Sequence, residues 1–224
     1  MFESVKISRT TLTWTVVIIG LLLMVAIGMR YSHHSCEINI KGVRYFSPAI
    51  NLNPFQLQDH NHQRYDNERL VGHWNVMFFG YTHCPDICPT AMQDMDRAYK
   101  AYRKRQDAKE LQMVFVSVDP NRDSLALLKD YVGYFNADFL GVTGERRQID
   151  ALTKSVGAMY DFEDSVTGEL LSDEQVSGKQ GYTVNHYAAL ILVNPQGQMV
   201  AHIYPPHDLQ RVIDALTTII NLNT

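Results

Sequence analysis

The chain has little cysteine, glycine or proline and no surplus of positive charge. Its 224 residues hold three cysteines. A secreted miniprotein stapled by disulfides uses more, and usually an even number, so these three read as individual chemical groups. Thirteen glycines and 8 prolines exclude a fibrous or disordered chain. Twenty Lys and Arg stand against 24 Asp and Glu, a net charge of -4, which supplies no basic surface for nucleic acid. No internal repeat or low-complexity tract is present. What is there, 46% hydrophobic and 20% charged residues, suits one folded domain plus something short.

The short part is at the N-terminus. Residues 10–29 carry no charge, and Val16 to Ile27 is apolar apart from Gly20. At about 1.5 Å per residue this makes roughly 30 Å of helix, enough to cross a hydrocarbon core. Lys6 and Arg9 also fit the basic start of a cleavable signal peptide, but such a peptide has an apolar region of about 7 to 15 residues ending in small residues. Here the run continues through bulky side chains into Met29-Arg30-Tyr31, so an uncleaved anchor is expected. The positive-inside rule puts residues 1–9 in the cytoplasm, a signal blunted by Arg30, Lys41 and Arg44. The expected setting is a bacterial inner membrane crossed once, with the C-terminal domain in the periplasm. Residues 30–48 read as a stalk, and 49–224 as the folded domain.

Within that domain, Asn75 to Tyr81 and Met113 to Val118 are buried strands, and Phe139 to Val142 a shorter one. Met92, Met95, Tyr99 and Tyr102 recur at helical spacing after Pro89, which suits a first helical turn. Leu125 to Phe135, Ile149 to Met159 and Leu209 to Ile220 mark further helices. Tyr187 to Val193 and Met199 to Tyr204 are strands around the turn Asn194-Pro195-Gln196-Gly197. Strand–helix alternation ending in a hairpin and a helix describes an α/β sandwich of the thioredoxin type. Residues 161–182 stand outside that minimal plan. They carry Asp161, Glu163, Asp164, Glu169, Asp173 and Glu174 against Lys179, and form an inserted hairpin or loop: a solvated acidic excursion, with a docking surface as the alternative.

Cys84 and Cys88 lie between a buried strand and a helix, four residues apart. On a first helical turn two such thiols point to the same side, and the free N–H groups there favour ionisation of at least one. Dithiol redox chemistry and capture of a soft metal ion both use that arrangement. The spacing is one residue longer than in thioredoxin-type oxidoreductases, and the chain has no proline between Pro120 and Pro195 to serve as their cis-proline. His186, expected at the start of the strand Tyr187 to Val193, is a candidate third ligand. Two thiolates and an imidazole suit cuprous copper, and with a further ligand cupric copper or zinc. For a lone histidine at a strand end, ordinary hydrogen bonding is the competing reading.

The run Phe78-Phe79-Gly80-Tyr81-Thr82-His83-Cys84-Pro85-Asp86-Ile87-Cys88-Pro89, followed by Val116-Ser117-Val118-Asp119-Pro120-Asn121-Arg122-Asp123 and Asn185-His186, resembles the Sco (SenC/PrrC) family of membrane-tethered, thioredoxin-like copper proteins. The resemblance covers about Ala49 to Tyr204. It implies copper ligation by Cys84, Cys88 and His186, a tuning role for Asp119 near the site, and an insertion at 161–182. Asn185 departs from the family, which commonly has Asp there; the change bears on local charge and on the orientation of His186.

By the same resemblance the chain helps assemble the binuclear copper centre of cytochrome c oxidase subunit II, carrying the cuprous and also the cupric ion. Partners are that subunit, other periplasmic copper carriers and a thioredoxin-like reductant. The alternative is a membrane-anchored thiol-disulfide reductase using Cys84 and Cys88 on the acceptor's cysteines; no other enzyme activity is expected. A thiol peroxidase needs an arginine beside its cysteine, and none is near Cys84 in sequence. His60 and His62 read as surface residues of the entry turn, His73 and His83 as structural. Cys36, beside His33 and His34, reads as an incidental stalk thiol, with transient metal capture by the three as the alternative.

Overall fold

A computed structural model describes residue 14 and residues 18–25 and 40–223. The chain divides into two units, Met1–Cys36 and Glu37–Thr224. Residues 18–25 are helical and solvent-exposed, and no helix among the described residues is long and apolar enough to cross a membrane. Most of the expected anchor, and His33, His34 and Cys36, lie outside the described residues.

The second unit is built on an eight-stranded mixed sheet. Its strands are β1 (Val43–Asn51), β2 (Gln56–Asp59), β3 (Arg64–Asp66), β4 (Trp74–Gly80), β5 (Leu111–Ser117), β6 (Leu140–Thr143), β10 (Leu190–Val193) and β11 (Gln198–Ile203), in the spatial order β1-β11-β10-β4-β5-β6-β2-β3. Strands β4, β5 and β6 are parallel. All seven residues of β4 are buried, as the apolar run Val76–Phe79 requires of a strand covered on both faces.

Five α-helices accompany this sheet among the described residues: α1 (Ile87–Arg103), α2 (Leu125–Phe135), α3 (Arg146–Val156), α4 (Asp173–Val176) and α5 (Leu209–Leu222). Helix α1 buries Met92, Met95, Tyr99 and Tyr102 along one stripe. It touches both α2 and α5. Leu128 and Val132 of α2 press on Gly141 of β6, and Cys88 of α1 presses on Gly80 of β4, so these helices share one face of the sheet. Gly157, just after α3, approaches His202, whose position on β11 pairs with Ile191 and, through it, with Met77. Those residues alternate with Phe78, which places α3 on the other face. This is the thioredoxin-like sandwich expected from the sequence.

Four boundaries differ from expectation. Residues 43–48, read as stalk, are the first part of β1, which pairs with β11 through Val43–Tyr45 and again at Ile50 and Asn51; Pro48 is tolerated because the strand is at the sheet edge. Helix α3 stops at Val156 and not at Met159, because Gly157 takes a left-handed turn at φ 68° and caps the helix; Met159 is exposed. The insertion folds into a second sheet of β7 (Tyr160–Asp164), β8 (Leu170–Leu171) and β9 (Tyr182–His186), in the order β8-β7-β9. Asp161, Glu169, Asp173 and Glu174 are exposed and Asp164 is paired with Lys179, while Phe162, Val176 and Tyr182 join the core. His186 therefore ends β9 and does not begin β10; Tyr187 leaves the small sheet with its N–H bonded to the Met159 carbonyl.

Candidate metal centre

The parallel strand β4 ends at Gly80, and the chain turns through Cys84 into α1. Cys84 lies before the helix, half-buried, and Cys88 is its second residue, fully buried. The two are thus not on one helical turn, yet the helix start still acts on both: the Cys88 N–H points at the Cys84 sulfur at 3.4 Å. His186 arrives from β9 with Nε2 3.3 Å from the Cys88 sulfur. All three ligand atoms lie within 4.8 Å of one another. Two sulfurs and one imidazole nitrogen at that separation can close on a soft ion, whose bonds to such atoms are about 2.0–2.3 Å long.

The two thiols are electrostatically unlike. The Cys88 thiol donating to its sulfur holds the Cys84 pKa down at about 3, helped by His186 and by the N–H groups of Cys88 and Asp86, against the opposing effect of burial. Burial first, and then the neighbouring Cys84 thiolate, push Cys88 far upward. Without a metal these effects favour a thiolate on the half-buried Cys84 and a neutral thiol on the buried Cys88.

The His186 ring meets the edges of Phe78 and Tyr81, with centroids 5.8 and 6.0 Å away. Its Nδ1 is buried without a hydrogen-bond partner among the described residues, so packing and strand position orient the ring. Asn185 points to the opposite face of β9 and donates to Asp161 Oδ1 at 3.0 Å and Glu163 Oε2 at 2.9 Å. Its departure from Asp accordingly changes the charge of the outer face and leaves the ring of His186 untouched.

Asp119 is buried but its bonds lead to β9, not to the ligands: it accepts from Arg122 Nε at 2.5 Å and from the Tyr182 hydroxyl at 2.7 Å. The aspartate tied to the cysteine loop is Asp123, which sequence reasoning left without a role although it closes the quoted Asp119–Asp123 run. It accepts from the Thr82 N–H at 2.9 Å, the Thr82 hydroxyl at 2.6 Å and the Ser117 hydroxyl at 2.7 Å. Burial raises its pKa against these donors. Gly80 was missed too: a β-carbon there would stand 2.6 Å from the Cys88 sulfur.

The other described histidines stay apart from the cluster. His60 Nδ1 accepts from the Gly141 N–H at 3.0 Å, a structural bond between β2 and β6. His62 occupies a turn with φ 63°. His73 precedes β4, at the end of the strand opposite the cysteines. His83 is exposed, with Nδ1 3.1 Å from the Thr82 hydroxyl. Arg122 does approach the site in space, 5.4 Å from the Tyr81 ring, but its charge is paired with Asp119. A cleft of about 510 Å³ lined by residues including His62, Arg64 and Arg147 contains none of the three ligands.

The SCO1/SenC family model matches residues 46–221. A Stutzerimonas stutzeri protein named "Putative copper-binding protein" is 35% identical over 161 residues, covering 70% of this chain and 72% of that one. Among solved structures, Arabidopsis thaliana ScoI with copper bound superposes with a TM-score of 0.66 at 27% identity, covering 78% of this chain and 99% of that one. Yeast Sco1 with copper bound gives 0.65 at 26%, covering 76% and 89%.

Proposed function

The chain belongs to the SCO1/SenC family, and we propose that it is a copper metallochaperone that loads the binuclear centre of cytochrome c oxidase subunit II. The observation that carries this reading is the convergence of Cys84, Cys88 and His186, from a loop, a helix and a strand 98 residues further on, within 4.8 Å. Copper-bound structures of relatives support the choice of metal. So does the donor set, since thiolates with imidazole select cuprous copper and also accept the cupric ion. Three protein ligands leave an open coordination position, which a transferring protein needs and a closed structural cage lacks. Asp119 acts on this site at one remove, through Tyr182 and β9.

Residues 10–29 serve in this proposal as a single membrane anchor, holding the domain on the periplasmic face of a bacterial inner membrane. The uncharged length of that run supports it. Other periplasmic copper carriers deliver the metal, and a thioredoxin-like reductant keeps the thiols reduced in that oxidising compartment.

A second reading rests on the unlike thiols. The Cys84 thiolate attacks a disulfide on the copper acceptor, forming a mixed disulfide and releasing one acceptor thiolate. Cys88, passing its proton to the released acceptor thiolate, then attacks the Cys84 sulfur; the acceptor's second sulfur leaves as a thiolate that solvent protonates, and Cys84–Cys88 remains as a disulfide, two electrons poorer. Titrating the reduced full chain in detergent with cuprous ion separates the readings. Copper transfer requires one tightly bound ion per chain, lost in Cys84→Ser and weakened in His186→Ala. Parent-like binding by His186→Ala overturns the three-ligand site; no binding together with reduction of acceptor disulfides leaves the reductase.

A further inference from the structure

The turn after β5 holds the two halves of the ligand cluster from opposite sides. Asp123 grips Thr82, two residues before Cys84. Arg122 reaches toward β9. Its Nη1 donates to the Tyr182 carbonyl at 2.9 Å while Nε is paired with Asp119 at 2.5 Å. The guanidinium lies 3.7 Å from the centroid of the Tyr182 ring and 5.4 Å from that of Tyr81. The Tyr182 hydroxyl closes the circuit by donating to Asp119 Oδ1 at 2.7 Å.

Tyr182 and His186 occupy the same face of β9, four residues apart. Tyr81 is one of the two rings that meet His186 edge-on. Since His186 Nδ1 has no hydrogen-bond partner among the described residues, the position of β9 and the placement of those rings are what aim Nε2 at the Cys88 sulfur. Arg122 acts on both. The cysteine loop has its own support in Asp123 and in the start of α1, so the arginine bears chiefly on the histidine side.

We propose that Arg122 is a positioning residue for His186, a guanidinium clamp that sets the imidazole against a cysteine pair held independently of it. The metal part of this proposal rests on the copper reading above; the geometric part does not. A lysine cannot replace the clamp, because the role uses a planar fork: one edge on a carboxylate, another N–H on a carbonyl, and a flat face on Tyr182.

The test uses the full chain in detergent, as parent, Arg122→Ala, Arg122→Lys, His186→Ala and the Arg122→Ala/His186→Ala double variant. In metal-free protein, nuclear Overhauser contacts between the ring protons of His186 and those of Phe78 and Tyr81 report the aim of the imidazole; they are expected in the parent and lost in both Arg122 variants. With cupric ion, electron paramagnetic resonance reads the imidazole nitrogen coupling. Arg122→Ala is expected to lose that coupling and bind about 10- to 100-fold more weakly, and the double variant to bind no more weakly than His186→Ala. Retained ring contacts with retained nitrogen coupling, or independent losses that multiply in the double variant, overturn the clamp. If Arg122→Ala does not fold, Arg122→Lys decides by the ring contacts and the nitrogen coupling. A parent that binds no cupric ion sinks the copper reading, while the metal-free ring contacts still judge Arg122.

Discussion

The Cys88 sulfur occupies the space that a side chain on Gly80 would fill: a β-carbon there would stand 2.6 Å from the sulfur and 3.1 Å from the Phe115 ring. The last residue of β4 thus lets a metal-ligating sulfur lie directly on the backbone of the central strand. Gly80→Ala should displace Cys88, cost about 1–3 kcal/mol as overpacking does, and weaken cuprous binding. Urea unfolding and copper titration check it; a variant equal to the parent in both would show that Cys88 is free to move.

Asp123 is buried with three donors directed at it. Asp123→Asn keeps the shape but turns an NH₂ group toward some of those donors, which should cost about 1–3 kcal/mol for the unsatisfied bonds. The cysteine loop should loosen with it. Denaturation gives the first effect, and faster alkylation of Cys88 in the folded protein gives the second.

The thiols should differ in their reactivity toward iodoacetamide. An ordinary thiol gains reactivity about tenfold per pH unit below its pKa, but Cys84, already ionised above about pH 3, should react at a nearly level rate from about pH 5 to pH 8. Mass spectrometry should find Cys88 unlabelled. Cuprous loading near neutral pH should then release about one proton per ion, from Cys88. Release of two protons would mean that Cys84 is not a thiolate.

Acid sensitivity should arise partly from His202, whose Nδ1 lies 3.0 Å from the Tyr187 hydroxyl. Burial lowers its pKa from 6.5 to about 4. Between those values the unfolded chain binds a proton that the folded chain refuses, so stability falls as pH drops from 6.5 to about 4 and this contribution levels off below. The slope from one such group is at most about 1.4 kcal/mol per pH unit. His202→Gln should flatten the urea-midpoint profile across this window, leaving the smaller contributions of His60 and His207, whose pKa values burial also lowers. An unchanged slope would remove His202 from the account.

Local pattern carried much of the fold. The apolar run of β4 and the stripe Met92, Met95, Tyr99 and Tyr102 of α1 were legible because strand burial and helical spacing each involve neighbours along the chain. The stop of α3 at Gly157 was misread, since Met159 continues the apolar spacing that the left-handed glycine interrupts. Strand β1 was missed because its partner, β11, lies about 150 residues away and its own pattern shows no alternation.

The cysteine pair followed from sequence alone, because a spacing of four residues across a strand-to-helix turn leaves little freedom. His186 was singled out, but its place at the end of β9 depended on the insertion folding as a separate sheet. Which aspartate serves which half of the site could not be read at all: Asp119 and Asp123 are four residues apart in one turn, yet point to β9 and to Thr82. Spacing along a chain determines which chemical groups are available. Tertiary structure decided which of them meet, because the contacts of Gly80 with Cys88, of Cys88 with His186 and of Arg122 with Tyr182 are made only when separate elements are packed on one sheet.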